Sequence, residues 1–216
     1  MVEFYNQLMV FLNDEDKENA MKLCINALQG KSISVVDLYQ NILTPALNSI
    51  IDEFPEDEEL IWREHVRSGI VRSIIESAYP YVLRTKEELG LYKSENVIVM
   101  CPEFEDHELG ARMVSDFFTI AGYNSTFIGA KTPENTVLKA VNIIRPKYIC
   151  ISVTNHYNLI STRKIIKKVR EHASQDIKVI LGGSAFTANP HAYKTVGGDL
   201  LLKYYDDIEN LHKELE

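Results

Sequence analysis

The chain has 216 residues and a net charge of −8, with 45% hydrophobic and 25% charged side chains. This length allows one large domain or two small ones, and either could bury a hydrophobic core. The negative charge argues against a large nucleic-acid interface. No apolar run approaches the length of a membrane span, and the acidic N-terminal stretch is unlike a secretory signal. We therefore expect a cytoplasmic protein that binds neither nucleic acid nor a membrane.

The cysteines and a run of basic residues do not by themselves indicate a metal site or a binding surface. The three cysteines lie far apart and include no CxxC pair, so neither a zinc cluster nor a disulfide framework is expected. A run of basic residues on one predicted helix is most simply a solvated helix face. It consists of Arg163, Lys164, Lys167, Lys168 and Arg170.

Residues 1–90 are dominated by helical periodicity. Asn13 and Asp14 are typical of an N-cap, so we predict a helix that follows them and runs to about Gln29, where Gly30 ends it. A longer apolar stripe predicts a helix over residues 57–85. Four or five helices joined by short loops predict a small helical bundle, which forms the first domain.

Residues 91–216 show a different pattern, in which short apolar runs alternate with helical segments. The run NVIVMC at residues 96–101 is typical of a buried parallel strand. The alternation predicts an α/β domain with a doubly wound, five-stranded parallel sheet of the flavodoxin-like (Rossmann-like) type. The predicted strands cover residues 96–101, 124–128, 148–153, 177–181 and 199–202. The predicted helices cover residues 107–121, 133–144, 160–172 and 208–215.

His107 lies in the loop after the first predicted strand, at the edge of the sheet where doubly wound proteins bind ligands. Glu105 and Asp106 precede it directly. A carboxylate beside a histidine can hold one ring nitrogen while the other nitrogen binds a metal. Gly110 omits a side chain from the helix next to this loop, which leaves room for a bulky group.

Small and hydroxyl residues end the third and fourth predicted strands, and they are Ser152, Thr154, Gly182 and Gly183. The glycine fingerprints of dinucleotide and phosphate sites, GxGxxG and GxxxxGK[ST], are absent from the sequence. Open space beside the loop, a single histidine and nearby hydroxyl groups are better suited to a large planar metal cofactor than to a phosphate.

These motifs resemble those of cobalamin-binding domains, which carry DxHxxG, then SxL or SxT, then GG at the ends of strands one, three and four. Here the three positions read EDHELG at 105–110, SVT at 152–154 and GG at 182–183. The resemblance implies that the cofactor binds base-off, with His107 as the lower axial ligand to cobalt and Glu105 as the carboxylate that orients it. Glu105 replaces the usual Asp, which keeps the charge but lengthens the arm. The resemblance also implies a slot for the dimethylbenzimidazole tail, formed by Ser152, Thr154, Gly182 and Gly183.

The helical half resembles the bundle that caps the upper face of the corrin in methionine-synthase-type cobalamin domains. In the light-sensing, cobalamin-dependent repressors of this group, the bundle has a tryptophan, nine residues and then Glu-His, and the ligand loop reads ExHxxG. Here Phe54 is followed after nine residues by Glu64 and His65. The resemblance implies that Phe54 stacks near the upper axial position and that Glu64 and His65 face the upper ligand, such as an adenosyl group. Two features depart from the photoreceptors: Phe54 replaces the tryptophan, and Pro55 stands where they place a cobalt-binding histidine. Their N-terminal DNA-binding domain has no counterpart in this sequence.

Three functions remain open from the sequence. The first is a regulatory sensor of cobalamin or light, which binds adenosylcobalamin or methylcobalamin and changes its assembly or its partner regulator. The second is a corrinoid carrier for a methyltransferase, although the acidic loop and Ala111 after Gly110 differ from the GDxHxxGK-like loop of such carriers. The third is a binder of heme or another tetrapyrrole, because histidine also ligates heme. No nucleophile–base set beyond Glu64 and His65 is visible, so we expect no catalysis by this chain alone. Homo-oligomerisation is left open.

Overall fold

The structure, a computed structural model, describes residues 1–53, 57–173, 176–187 and 189–211. The predictions for Phe54 and Pro55 therefore concern residues outside the described ranges. The chain divides into two compact units, Met1–Glu88 and Leu89–Glu216. Within the described ranges, no helix has both the length and the apolar character needed to cross a membrane.

The first unit is helical, as its periodicity predicts. A π-helical segment, Leu38–Leu43, connects its third and fourth helices. The helices of this unit are α1 (Val2–Asn13), α2 (Lys17–Gln29), α3 (Val35–Asp37), α4 (Thr44–Asn48), α5 (Ile50–Glu53) and α6 (Asp57–Leu89).

The start predicted for the helix that ends at Gln29 is wrong. Asn13 is the last residue of α1, a helix that was not predicted, and α2 begins only at Lys17. The N-cap of α2 is Asp16, whose carboxylate accepts a hydrogen bond from the backbone N–H of Asn19 at 3.0 Å. Asn13 uses its Oδ1 atom to accept a hydrogen bond from Arg67 at 2.5 Å. The residue that resembled a cap therefore serves a contact between distant parts of the helical unit.

Arg67 of α6 is a buried cation whose side chain is only 2% exposed. Its guanidinium donates to the backbone oxygen of Ala46 at 3.0 Å and to Oε2 of Glu53 at 2.9 Å, in addition to Asn13. Partial burial favours a raised pKa for Glu53, but the hydrogen bonds from Arg67 and Ser49 outweigh it and hold the pKa below its ordinary value of 4.5. Arg67 thus joins residues of α1, α4 and α5 to α6.

The second unit contains one five-stranded sheet in which every neighbouring pair is parallel. The strands are β1 (Asn96–Pro102), β2 (Asn124–Thr132), β3 (Tyr148–Ser152), β4 (Lys178–Gly182) and β5 (Leu200–Leu201). Their order is β2-β1-β3-β4-β5, which is the flavodoxin-like order with its switch point between β1 and β3. The predicted doubly wound α/β fold with a helical N-terminal region is therefore confirmed.

Helices cover this sheet, and they pack on it through aliphatic side chains. The core includes Ile98 and Met100 of β1 together with Ile149 and Ile151 of β3, all at most 1% exposed. The helices of the unit are α7 (Leu109–Ile120), α8 (Glu134–Ile144), α9 (Leu159–His172), α10 (Ala192–Val196) and α11 (Tyr205–Glu209).

The closing helix was predicted too late in the chain. A helix was expected over 208–215, of which residues 212–215 lie outside the described ranges, whereas α11 begins at Tyr205 and ends at Glu209. Asp207 determines this start, because its carboxylate accepts hydrogen bonds from the backbone N–H groups of Lys203 and Tyr204 at 2.7 and 2.9 Å. These bonds satisfy donors that would otherwise be unpaired at the start of the helix.

Candidate functional site

The loop that carries His107 joins the end of β1 to the start of α7, beside the switch point of the sheet. We call residues 103–108 the ligand loop. Phe104 in this loop has a left-handed backbone conformation, with φ of 72°. The side chain of His107 is 59% exposed. The fold thus presents this imidazole at the position where doubly wound sheets bind ligands.

Glu105 is a buried carboxylate that contacts the imidazole. Its side chain is 1% exposed, and its Oε1 atom lies 2.5 Å from Nδ1 of His107. Oε1 also accepts a hydrogen bond from the backbone N–H of His107 at 3.3 Å. Since an ionised carboxylate can only accept hydrogen bonds, Nδ1 carries the proton in this contact. A metal bond from this ring would therefore use its other nitrogen, Nε2.

The second carboxylate oxygen of Glu105 is held by the segment that follows β3. Oε2 accepts hydrogen bonds from the backbone N–H groups of Thr154 at 3.0 Å and Asn155 at 2.9 Å, and from Nδ2 of Asn158 at 3.0 Å. Burial favours a raised pKa for Glu105, but the hydrogen bonds from His107 and from this segment outweigh it and lower the pKa to about 2. The carboxylate is therefore charged at neutral pH, although it is buried.

Asn158 is a site residue that the sequence did not reveal. It is 7% exposed and lies in a 3₁₀ turn, His156–Asn158, just before α9. Besides Glu105, its amide nitrogen donates to the backbone oxygen of Phe104 at 3.2 Å. Ser161 of α9 donates to the backbone oxygen of Glu103 at 3.2 Å. Three successive residues of the ligand loop are thus fixed to the segment after β3 and to the first turn of α9.

The residues predicted to form a slot lie at the ends of β3 and β4. Ser152 pairs with Gly182 in the parallel register, and both are the last residues of their strands. Gly183 has φ of 99° and ψ of 167°, a conformation confined essentially to glycine. A Cβ atom on Gly183 would lie 2.3 Å from the backbone oxygen of Val153, and one on Gly182 would lie 3.1 Å from that of Leu202. Packing of the protein's own backbone is therefore sufficient to explain both glycines.

Asp106 and Gly110 differ from Glu105 in being open to solvent. Asp106 is 67% exposed at its side chain and forms an ion pair with Lys131 at 2.5 Å. A Cβ atom on Gly110 would meet nothing within 4 Å. Gly110 therefore leaves open space on α7, three residues after His107, as a bulky group bound at the imidazole would require.

Glu64 and His65 lie on α6 in the helical unit. Glu64 accepts a hydrogen bond from Ser68 at 2.6 Å, and its other oxygen lies 3.7 Å from Nε2 of His65. The side chain of His65 is 73% exposed. Phe54, the third predicted residue of the cap, lies outside the described ranges.

The donor set of the α/β unit suits a metal that needs one protein ligand. Among the described residues, no group of three or more His, Cys, Asp or Glu side chains could hold a metal ion. A tetrapyrrole or corrin supplies its own equatorial ligands, so one oriented imidazole is sufficient for such a cofactor. The paired Glu105 and His107, with the open space at Gly110, fit this requirement.

Comparison with known protein families distinguishes a corrin from other tetrapyrroles such as heme. Residues 95–208, more than half of the chain, match the B12 binding domain family. The chain belongs to this family. The matched residues contain the whole ligand loop and the segment that holds it, and the prediction of a cobalamin cofactor is confirmed. Membership also favours cobalamin over heme.

Solved structures of B12 proteins share the fold at low sequence identity. The monomethylamine corrinoid protein of Methanosarcina barkeri is 15% identical, with a TM-score of 0.79 and 99% of each chain covered. A cobalamin-binding protein from Desulfitobacterium hafniense DCB-2 is 17% identical, with a TM-score of 0.52 and 98% of each chain covered. The methanol:cobalamin methyltransferase complex of Methanosarcina barkeri is 16% identical, with a TM-score of 0.50, covering 99% of this chain and 79% of the other. No curated protein sequence matches at a significant level.

Proposed function

We propose that the protein binds cobalamin base-off, with Nε2 of His107 as the lower axial ligand to cobalt. The observation that carries this proposal is the 2.5 Å contact between Nδ1 of His107 and the buried carboxylate of Glu105. An anion at Nδ1 raises the basicity of the ring and fixes its orientation, as carboxylates do for metal-bound histidines. Asp106 and Gly110 border the same loop, while Ser152, Thr154, Gly182 and Gly183 would line the side that receives the displaced tail.

The chain serves, in this proposal, as a corrinoid carrier that works with a methyltransferase. A protein described as a corrinoid protein shares the fold over 99% of both chains, including the helical unit. A second structure with the fold is a methyltransferase complex. Bound cobalamin supplies the cobalt–carbon bond that carries the methyl group. This chain supplies the imidazole, the carboxylate that orients it and the segment that holds both, so its role is to bind and present the cofactor.

Reconstitution tests the assignment of the ligand. The purified protein is mixed with hydroxocobalamin, methylcobalamin or adenosylcobalamin, and absorption spectra and bound cofactor are measured for the unchanged chain and for His107→Ala. We expect a histidine-ligated, base-off spectrum that the variant loses. An identical spectrum in the variant would show that His107 is not the axial ligand.

A methyl-transfer assay tests the carrier role separately. The cobalamin-loaded protein is reduced and offered as methyl acceptor to the substrate methyltransferases of its own organism, and methylcobalamin formation is followed by absorption. We expect one of them to methylate the bound cofactor. Failure of all of them, with cofactor binding intact, would contradict the carrier role and leave the ligand assignment standing.

Two features favour a light or cofactor sensor as the second candidate. The ligand loop has Glu105 in place of Asp, and Glu64 adjoins His65 on α6 as the photoreceptor-like pattern requires. A sensor that binds adenosylcobalamin would change its spectrum and its size on illumination. Equal elution volumes and spectra in darkness and light would exclude the light-sensing form of this function.

A further inference from the structure

A groove on the outer side of the α/β unit combines apolar side chains with positive charge. It lies between α9 and α10 and has a volume of about 420 Å³. Leu159, Ile160 and Val196 supply its apolar surface, and none of the described residues that line it is acidic. Its cations come from one helix and are Arg163, Lys164 and Lys167.

Two of these cations differ from their neighbours on α9. Lys168 pairs with Glu134 at 3.0 Å and Arg170 pairs with Asp199 at 3.0 Å. In the described part of the chain, no carboxylate lies within ion-pair distance of Arg163 or Lys164. Lys167 does lie 3.7 Å from a carboxylate oxygen of Glu171, so among the described residues the positive charge without a carboxylate partner is that of Arg163 and Lys164.

Large apolar side chains are exposed on this groove, on the turn before α9 and in the ligand loop. Ile160 is 67% exposed, Tyr157 in the preceding turn is 85% exposed, and Phe104 in the ligand loop is 72% exposed. Neighbouring exposed apolar side chains often mark a protein interface. The hydrogen bond from Asn158 to the backbone oxygen of Phe104 places the loop against the turn that carries Tyr157. We call these three residues, with Arg163, Lys164 and Lys167, the docking face.

The docking face is continuous with the segment that positions the candidate cobalt ligand. Asn158 and Ser161, which hold the ligand loop, flank Leu159 and Ile160 of the groove. A protein bound on this face would therefore contact the same turn that fixes Glu105. A protein held on this face is therefore held beside the loop that carries the candidate ligand.

We propose that the docking face binds an acidic, partly apolar segment of the partner protein that works on the bound cofactor. This inference rests on the proposed carrier function. Uncompensated cations call for an anionic partner, and the exposed apolar side chains call for apolar side chains on it. From Tyr157 to Lys167 the face extends roughly 15 Å along the helix axis, which suits a peptide segment rather than one small anion.

Peptide binding tests this surface directly. The probe is a labelled helical peptide of about four turns in which Leu recurs every three or four positions among Glu residues. Fluorescence anisotropy is measured with the cobalamin-loaded protein, the Arg163→Glu/Lys164→Glu variant and the Tyr157→Ser/Ile160→Ser variant. We expect saturable binding that falls on the order of ten-fold in each variant.

Matched controls separate this face from general charge effects. Lys139→Glu/Lys203→Glu makes the same change of charge at exposed positions outside the groove and should bind the peptide as the unchanged chain does. A second peptide with Ser for Leu should bind weakly. Equal binding by both charge variants, equal binding of both peptides, or no binding would overturn the proposal.

Further experiments distinguish a partner protein from a lipid surface or a second copy of this chain, and they separate the docking proposal from the cofactor assignment. Binding to phosphatidylserine vesicles without binding to the peptide would overturn the proposal in favour of a lipid surface. Sedimentation that shows dimers of the unchanged chain, lost in Arg163→Glu/Lys164→Glu, would overturn it in favour of a second copy. His107→Ala should lose axial ligation and keep peptide binding, so failure of the docking face and failure of the cofactor assignment give different results.

Discussion

Glu105 connects two segments of the α/β unit through its two carboxylate oxygens. Oε1 lies 2.5 Å from Nδ1 of His107, while Oε2 accepts three hydrogen bonds from residues 154–158. Every one of these partners stabilises the charged carboxylate, which keeps its pKa low in spite of burial. The position of the imidazole therefore depends on a segment about fifty residues further along the chain.

The first prediction concerns the charge of Glu105. Glu105→Gln removes the anion at Nδ1 and keeps the length of the side chain, so we expect cobalamin affinity to fall about 10–100-fold. Glu105→Asp keeps the charge and shortens the arm that spans the imidazole and the segment after β3, so it should give a smaller loss of affinity. Cofactor titration followed by absorption measures both effects.

Asp106→Asn is the matched control for these variants. Asp106 is the neighbouring acid, but it is exposed and pairs with Lys131. We expect nearly unchanged cobalamin affinity in this variant. A loss equal to that of Glu105→Gln would mean that general charge in the loop, rather than the contact with His107, controls binding.

The second prediction assigns Asn158 a positioning role. Asn158→Ala leaves buried acceptors on Glu105 and Phe104 without their amide donor, which should lower the free energy of unfolding by about 1–3 kcal/mol. Cobalamin affinity should fall less than in Glu105→Gln, because two backbone donors to Glu105 remain. Urea unfolding and cofactor titration test the two parts.

Asn155→Ala controls for Asn158→Ala. Asn155 contributes only its backbone N–H to Glu105, while its side chain accepts a hydrogen bond from the backbone N–H of Tyr157. This variant should retain cobalamin affinity. Equal losses of affinity in the two variants would argue against a specific role for the Asn158 amide.

The sequence was sufficient to predict the sheet but not all of the candidate site. Strands β1 and β3 were predicted because buried parallel strands are nearly continuous apolar runs. The sequence offered no signal for Asn158, since its role depends on the turn before α9 bringing its amide to Glu105. Asn13 was misread for a related reason: its partner, Arg67, lies 54 residues away. Tertiary hydrogen bonds of this kind leave no periodic pattern in a sequence.

The third prediction contrasts two glycines near the site. Gly183→Ala forces a side chain into a conformation that costs about 1–3 kcal/mol before the clash with Val153 is added, so the protein should be clearly destabilised. Gly110→Ala meets no atom of the protein and should raise stability by up to about 1 kcal/mol. The same methyl group should weaken cobalamin binding, because it fills space that the cofactor needs. Thermal unfolding and cofactor titration distinguish these effects, and unchanged affinity in Gly110→Ala would show that the cofactor does not approach this helix.

The fourth prediction is the acid stability of the helical unit. The pKa of Glu53 is lower in the folded chain than its ordinary value of 4.5. The ionised carboxylate therefore stabilises the folded state fully above pH 4.5, and this contribution is lost as the pH falls through the lowered pKa. Glu53→Gln should make stability less dependent on pH in this acidic range. Arg67→Ala should lower the free energy of unfolding by about 3–5 kcal/mol, because Arg67 is buried and its partners lose their donor. Urea unfolding at several pH values checks both, and equal pH dependence with and without Glu53 would contradict the account.

The most direct test of the central claim is electron paramagnetic resonance of the bound cob(II)alamin, prepared with protein whose histidines carry nitrogen-15. A single axial nitrogen splits the cobalt signal, and the splitting pattern depends on the nuclear spin of that nitrogen. If His107 is the lower axial ligand, the threefold splitting seen with unlabelled protein should become twofold, and His107→Ala should lose this labelled splitting. A threefold splitting that persists in the labelled protein would show that the cofactor's own dimethylbenzimidazole is bound to cobalt, and would contradict ligation by His107.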